Sequence, residues 1–181
     1  MARLPMPETL SERQREVLDA ISAGPRGGAR GPFAALLRSP ELCERAQLLG
    51  AFCRFGTSLG PRLSELAILV TAREWTAQYE WYAHARLARE AGLDGEIVEA
   101  IKARRRPEGM AADEAAVYDL SSELYATKRV SDATYDRAVA ALGETGVVET
   151  IGVMGYYCLV SMALNVSGVE LPEGEPEPLS L

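Results

Sequence analysis

The sequence predicts an all-α bundle of about seven or eight helices. Three observations predict it. Apolar residues recur three and four apart through almost the whole chain, which is the period of a helix face. Helix-start and helix-stop residues punctuate that pattern: Ser11, Ser39, Pro61, Asp94 and Ser131 at starts, Gly92 at a stop. No alternating strand pattern competes, and the Asp94-Gly95 pair lies between two helical segments rather than in a hairpin. A chain of 181 residues is long enough to bury a sizeable core in one domain. That domain is expected over residues 1–172, with an acidic, Pro-rich tail over residues 173–181.

The elements follow in order. Ser11 caps a first helix through about Ser22, with Gln14 at the capping-box position. The stretch AGPRGGARGPF, Ala23 to Phe33, holds four glycines and two prolines and is a long loop. It is either a plain connector or an arm that contributes to a pocket. Ser39 caps and Pro40 opens a helix to about Phe55, with Leu42, Ala46, Leu49 and Cys53 spaced for one buried face. Gly60-Pro61 opens a third helix, and Leu63, Leu66, Ala67, Leu69 and Val70 make it apolar around much of its circumference. Such a helix is central to a core, so Glu65 within it is conspicuous. A fourth helix spans about Thr76 to Glu90 and ends at Gly92. Asp94 caps the next, through about Ala103, and another covers Asp113 to Ala126. Ser131 caps Asp132 to Leu142, and the last helix runs from about Glu144 to Asn165. The end, LPEGEPEPLSL, has three prolines and three acids and is expected as a tail or an arm onto a neighbour.

Composition narrows the function. The chain is 48% apolar and 25% charged with a net charge of −7, which argues against nucleic acid as the partner, since phosphate binding needs clustered Lys and Arg. The single basic run, Arg104-Arg105-Arg106, sits where a helix C-terminus favours positive charge. The N-terminus has no apolar run of secretory length, and the apolar segment Val147 to Val169 is interrupted by Gly152, Gly155, Ser161 and Asn165. A transmembrane helix needs about 20 apolar residues; this segment reads as a buried helix, and a cytoplasmic protein with no membrane partner is expected. Cys43, Cys53 and Cys158 are odd in number and no two are three apart, so neither a disulfide framework nor a Cys-x-x-Cys motif is present. With one histidine in the chain, no metal site of the His/Cys type is expected, and no cofactor.

That histidine is His84, in EWTAQYEWYAHARLAREAG. On a helix, Ala77, Glu80, Trp81, His84, Leu87 and Ala88 share one stripe, four of the six apolar. Glu80 and His84 are neighbours at i and i+4. A buried imidazole beside a carboxylate feels two opposed effects, burial lowering its pKa and the negative charge raising it. The balance is expected near neutrality, where proton transfer is most effective. The turn near Arg73 to Thr76 sets the third and fourth helices antiparallel, and counting along them brings Glu65 level with His84. The three residues form either an acid/base site or a satisfied polar pair with a neighbouring carboxylate.

The string LSELAILVTAREWTAQYEWYAHARLAREAGLDGEIVEAI, with GPRGGARGPFAALLRSPEL upstream and GYYCLVSMALNVSGVELP downstream, resembles the carboxymuconolactone decarboxylase family, which includes AhpD-like alkylhydroperoxidases. The resemblance covers roughly residues 10–172. It implies an AhpD-like helical bundle assembled as trimers or hexamers. In the redox branch a glutamate precedes a Cys-x-x-Cys pair and a histidine follows; these fall on Glu65 and His84, while the cysteine positions hold Ala77 and Glu80. Without a thiolate there is no nucleophile for peroxide. The decarboxylase branch, which keeps a histidine without the redox pair, fits better.

The implied activity is cofactor-free decarboxylation of a small carboxylated lactone or related acid, with His84 as proton donor or base, Glu80 orienting it and Glu65 holding a second proton or positioning water. Arg73 is the candidate anchor for the substrate carboxylate, since a guanidinium pairs bidentately with it; Arg26 in the glycine-rich loop is the alternative. Tyr79 and Trp81 are candidate pocket walls or plain core aromatics. The competing readings are a non-catalytic helical binding or assembly protein, and a peroxidase-related antioxidant protein. The apolar excess of the last helix predicts a homo-oligomer.

Overall fold

In the computed structural model, which describes residues 2–180, the chain forms eight helices and no strand among the described residues. They are α1 (Glu12–Ala23), α2 (Phe33–Leu36), α3 (Pro40–Phe55), α4 (Gly60–Glu74), α5 (Gln78–Glu90), α6 (Gly95–Lys102), α7 (Ala112–Thr127) and α8 (Asp132–Ser167). The local signals operate as chemistry. Ser11 and Gln14 exchange side-chain and backbone hydrogen bonds in a full capping box, and Asp94 accepts from the Glu96 N–H. Both satisfy amide donors that a helix start leaves orphaned.

The centre is α4, against which α3, α5, α6, α7 and α8 all pack. Every residue from Leu63 to Arg73 is buried, which is what an apolar circumference requires. Arg62, at the rim of this helix, ties it to the start of α7 through Asp113 at 2.6 Å and through Glu114. The turn after α4 places Thr76 in the left-handed region at φ 46°, so α5 begins at Gln78 rather than Thr76.

Three expectations need correction. Ser39 makes no side-chain cap on α3. That helix buries Cys43, Ala46, Gly50 and Cys53, leaving Leu42 and Leu49 exposed; the buried face is rotated toward the small residues, which permit close approach to α8. The two expected final helices lie on either side of Gly143 (φ 69°, ψ 168°), which breaks the helical path of α8 between Leu142 and Glu144. The whole element is long and apolar enough to cross a membrane by length and composition, and half of its apolar window is buried inside the fold.

The third correction concerns the tail. Residues 173–178 are irregular and mostly exposed, but the chain returns to its own bundle. Leu179 is 3% exposed within the core. Its N–H donates to Gln78 Oε1 at 2.9 Å and its carbonyl accepts from Gln78 Nε2 at 2.8 Å. One apolar side chain and a reciprocal pair of hydrogen bonds suffice to hold a segment whose composition argues against order.

Candidate functional site

The antiparallel α4–α5 pair sets Glu65 beside His84, as the helix geometry predicts. Glu65 Oε2 lies 2.6 Å from His84 Nδ1, and Glu80 Oε1 lies 3.0 Å from His84 Nε2. The three residues are 6%, 3% and 5% exposed for Glu65, Glu80 and His84, so water contributes little screening. Burial is the largest influence on the imidazole and pulls its pKa down. The charges of Glu80 and Glu65, with the hydrogen bonds to both, outweigh it and raise His84 from 6.5 to about 9. This corrects the expectation of a pKa near neutrality: a second carboxylate on the other ring nitrogen holds the imidazolium form at neutral pH.

His84 and Glu80 open onto a cavity of about 750 Å³, within the size range of small-molecule sites. Glu65 stands behind the imidazole and does not line it. The loop of residues 24–32 contributes Arg26 and Arg30, α3 contributes Arg54, α5 contributes Tyr79 and Arg86, and α8 contributes Tyr156 and Tyr157. Arg86 pairs with Glu90. Among the described residues no ion pair engages Arg26 or Arg54, and the Nε atom of each is buried without a protein hydrogen-bond partner. Cationic groups that face a cavity and make no ion pair of their own suit an anionic ligand, beside the two carboxylates of the wall, Glu80 and Glu175. The glycine-rich loop is therefore a wall of the cavity, the second of its two expected roles.

Arg26 is held from below. Its guanidinium donates to Tyr156 Oη at 3.3 Å and lies over the Phe33 ring at 5.3 Å. Both groups rest on Gly50: a Cβ there would stand 2.1 Å from Tyr156 Cζ and 2.3 Å from an Arg26 guanidinium nitrogen. Burial drives the Tyr156 hydroxyl pKa up to about 12, opposed by the Arg26 charge, so it remains a neutral partner. Tyr79 packs on Gly31, whose left-handed φ of 62° and missing side chain make room for the ring.

Two expected site residues lie elsewhere. Arg73 does not reach the cavity. Its Nε donates to the Lys102 carbonyl at 2.9 Å and its terminal nitrogens to Thr76 Oγ1 at 3.1 Å and the Ser180 carbonyl at 3.0 Å; it closes α6 and pins the tail. Trp81 is a core residue, 3% exposed and absent from the cavity wall. Position on the helix decides this, since Trp81 is one residue on from Glu80 and turns toward the core. Of the two candidate arginines the cavity takes Arg26. Arg54, Tyr156 and Tyr157 were not anticipated. Gly50 and Arg54 are four apart on one face of α3, and the adjacent tyrosines are the only aromatics in the final apolar segment; both are signals, but neither says which helix they face.

No family model matches the chain and no curated protein matches it.

Proposed function

We propose that the protein is a cofactor-independent acid–base enzyme of the decarboxylase type, acting on a small carboxylated lactone or related organic acid. The observation that carries the reading is the His84 imidazole, held between two buried carboxylates at the wall of an arginine-bearing cavity. Loss of CO2 leaves an electron pair on carbon, and the site has a proton to give. Nδ1 is capped by Glu65, so Nε2 is the delivering nitrogen, and its proton is shared with Glu80, which faces the ligand space. Solvent reprotonates the imidazole after turnover. Arg26 anchors the substrate through its carboxylate. The residues quoted for the resemblance to the carboxymuconolactone decarboxylase family support the same class.

A panel of small carboxylates and carboxylated lactones, assayed for CO2 release, tests the proposal. Arg26→Gln is expected to raise KM about 10- to 100-fold, the loss of a charge-assisted contact, with kcat changed much less. An unchanged KM would remove Arg26 as the anchor, and turnover retained in His84→Gln would remove the histidine from the chemistry.

The antioxidant alternative has weaker support. None of the three cysteines lines the cavity, and burial raises the thiol pKa of Cys43 to about 11 and raises that of Cys53, which leaves little thiolate at neutral pH.

We further propose that copies of the chain associate, as trimers or hexamers in keeping with the resemblance. Leu48, Leu49, Phe52 and Phe55 on α3, and Val148, Ile151, Met162 and Val166 on α8, are exposed, and α3 packs against α8. Large exposed apolar patches mark association surfaces. Light scattering is expected to give a multiple of the 19.6 kDa chain mass, reduced by the double change Phe52→Glu and Ile151→Glu. A wild-type monomer at micromolar concentration would overturn the assembly.

A further inference from the structure

We propose that Tyr157, with Arg54 on the same cavity wall, forms an oxyanion site, so that the substrate class is an acid whose reacting carbon is conjugated to a carbonyl oxygen. This deepens the acid–base reading above and rests on it. The carboxylate anchor and the proton donor handle the two ends of a decarboxylation, but the charge that forms between them needs its own donor. Breaking the carbon–carboxylate bond releases CO2 and sends the electron pair through the adjacent unsaturation onto the carbonyl oxygen. His84 then protonates the carbon and the carbonyl reforms. Catalysis improves when donors already stand where that oxygen becomes negative.

Tyr157 has the properties of such a donor. It is 2% exposed, and its hydroxyl is buried without a protein partner among the described residues. A buried hydroxyl without a partner destabilises the fold, so its presence in the wall of a ligand cavity is informative. The ring meets His84 edge-on with centroids 5.2 Å apart, which puts the tyrosine next to the residue that delivers the proton. α8 carries the ring, and the Tyr156 ring of the same helix packs against it edge-on at 5.1 Å. Burial pushes the Tyr157 hydroxyl well above the usual phenol range, with the Glu80 charge adding to this and the Arg54 charge opposing it. The hydroxyl therefore keeps its proton and donates a hydrogen bond. Arg54 lines the same cavity, and its Nε is buried without a protein partner.

The site is separate in role from Arg26. Arg26 lies against Tyr156 and Phe33 on the loop side of the cavity, where it meets the substrate carboxylate. Tyr157 and Arg54 each line the cavity and hold a buried polar atom without a protein partner that can meet the oxygen.

Two planar five-membered-ring anions separate the roles in a calorimetric titration. Tetronic acid is a lactone that exists as an enolate at neutral pH and presents the oxyanion; 2-furoate presents only a carboxylate. Wild type is expected to bind both. Tyr157→Phe is expected to weaken tetronate by about tenfold or more and to leave furoate within about twofold, with an unfolding midpoint at or above wild type because a partnerless hydroxyl is gone. Arg54→Gln is expected to show the same selective loss. Equal weakening of both anions, or none of tetronate, would overturn the oxyanion site. So would a fallen unfolding midpoint with loss of both anions, which would make Tyr157 structural. Furoate bound without tetronate by wild type would overturn this site while sparing the acid–base reading; neither bound would overturn both.

Discussion

Replacing His84 by alanine is expected to remove turnover and to cost the fold about 3–5 kcal/mol. The reason is what remains. Glu65 and Glu80 approach the imidazole from opposite sides, at 2.6 Å and 3.0 Å, and both are buried. Without the cation between them, two carboxylates share a dry site with each other's charge and no donor. A domain has only about 5–15 kcal/mol of stability in total, so the alanine variant loses a large part of it and is a poor probe of chemistry alone. His84→Gln separates the effects, because an amide can still donate to both carboxylates while it cannot carry the proton. Denaturant unfolding of the two variants beside wild type checks this. A loss below about 1 kcal/mol in His84→Ala would mean that the carboxylates find other partners and that the triad is not an energetic unit.

The pH dependence of stability is the second large effect. His84 titrates at about 9 in the fold against 6.5 for an unperturbed imidazole, so the folded state holds the proton more tightly than the unfolded chain. The stabilisation from this difference is fully present below about 6.5, declines above it, and is lost as the pH rises through about 9. Its size is on the order of 3 kcal/mol. Glu65→Gln and Glu80→Gln each remove a charge that raises the pKa, and each is expected to move the loss to lower pH. One histidine in the chain makes the measurement direct: imidazole NMR is expected to show both ring nitrogens protonated at pH 7 and a transition near 9. A transition near 6.5, with stability flat from pH 6 to 9, would mean that the carboxylates do not hold the imidazolium.

Much of the fold is legible in the sequence because its determinants are local. Ser11 with Gln14, Asp94, Pro61 and Gly143 act within a few residues of themselves, and the helix boundaries they imply agree closely with those observed. The Glu65–Glu80–His84 cluster is legible for a related reason. Glu80 and His84 are joined by helix periodicity, and Glu65 reaches them across a single short turn, so counting suffices.

The ligand wall is different in kind. Arg26, Arg54, Tyr156 and Tyr157 come from a loop, α3 and α8, over a hundred residues apart in the chain, and only the packing of α3 and α8 brings them together. Arg73 and Arg26 are both arginines near the right elements. What separates them is that three acceptors from α6, the α4–α5 turn and the tail claim Arg73, while Arg26 keeps a buried donor free of protein partners. The tail is misjudged from composition for the same reason, since Leu179 is anchored by Gln78, a residue 101 positions earlier.

The sequence by itself therefore determined the all-α class, the order of the helices and the histidine with its two carboxylates, because caps, periodicity and one antiparallel turn act over short separations. Only the tertiary structure decided the protonation of His84, which depends on burial together with both charges, and the face of the cavity that a ligand meets, which depends on which distant side chains are left without a partner once the helices have packed.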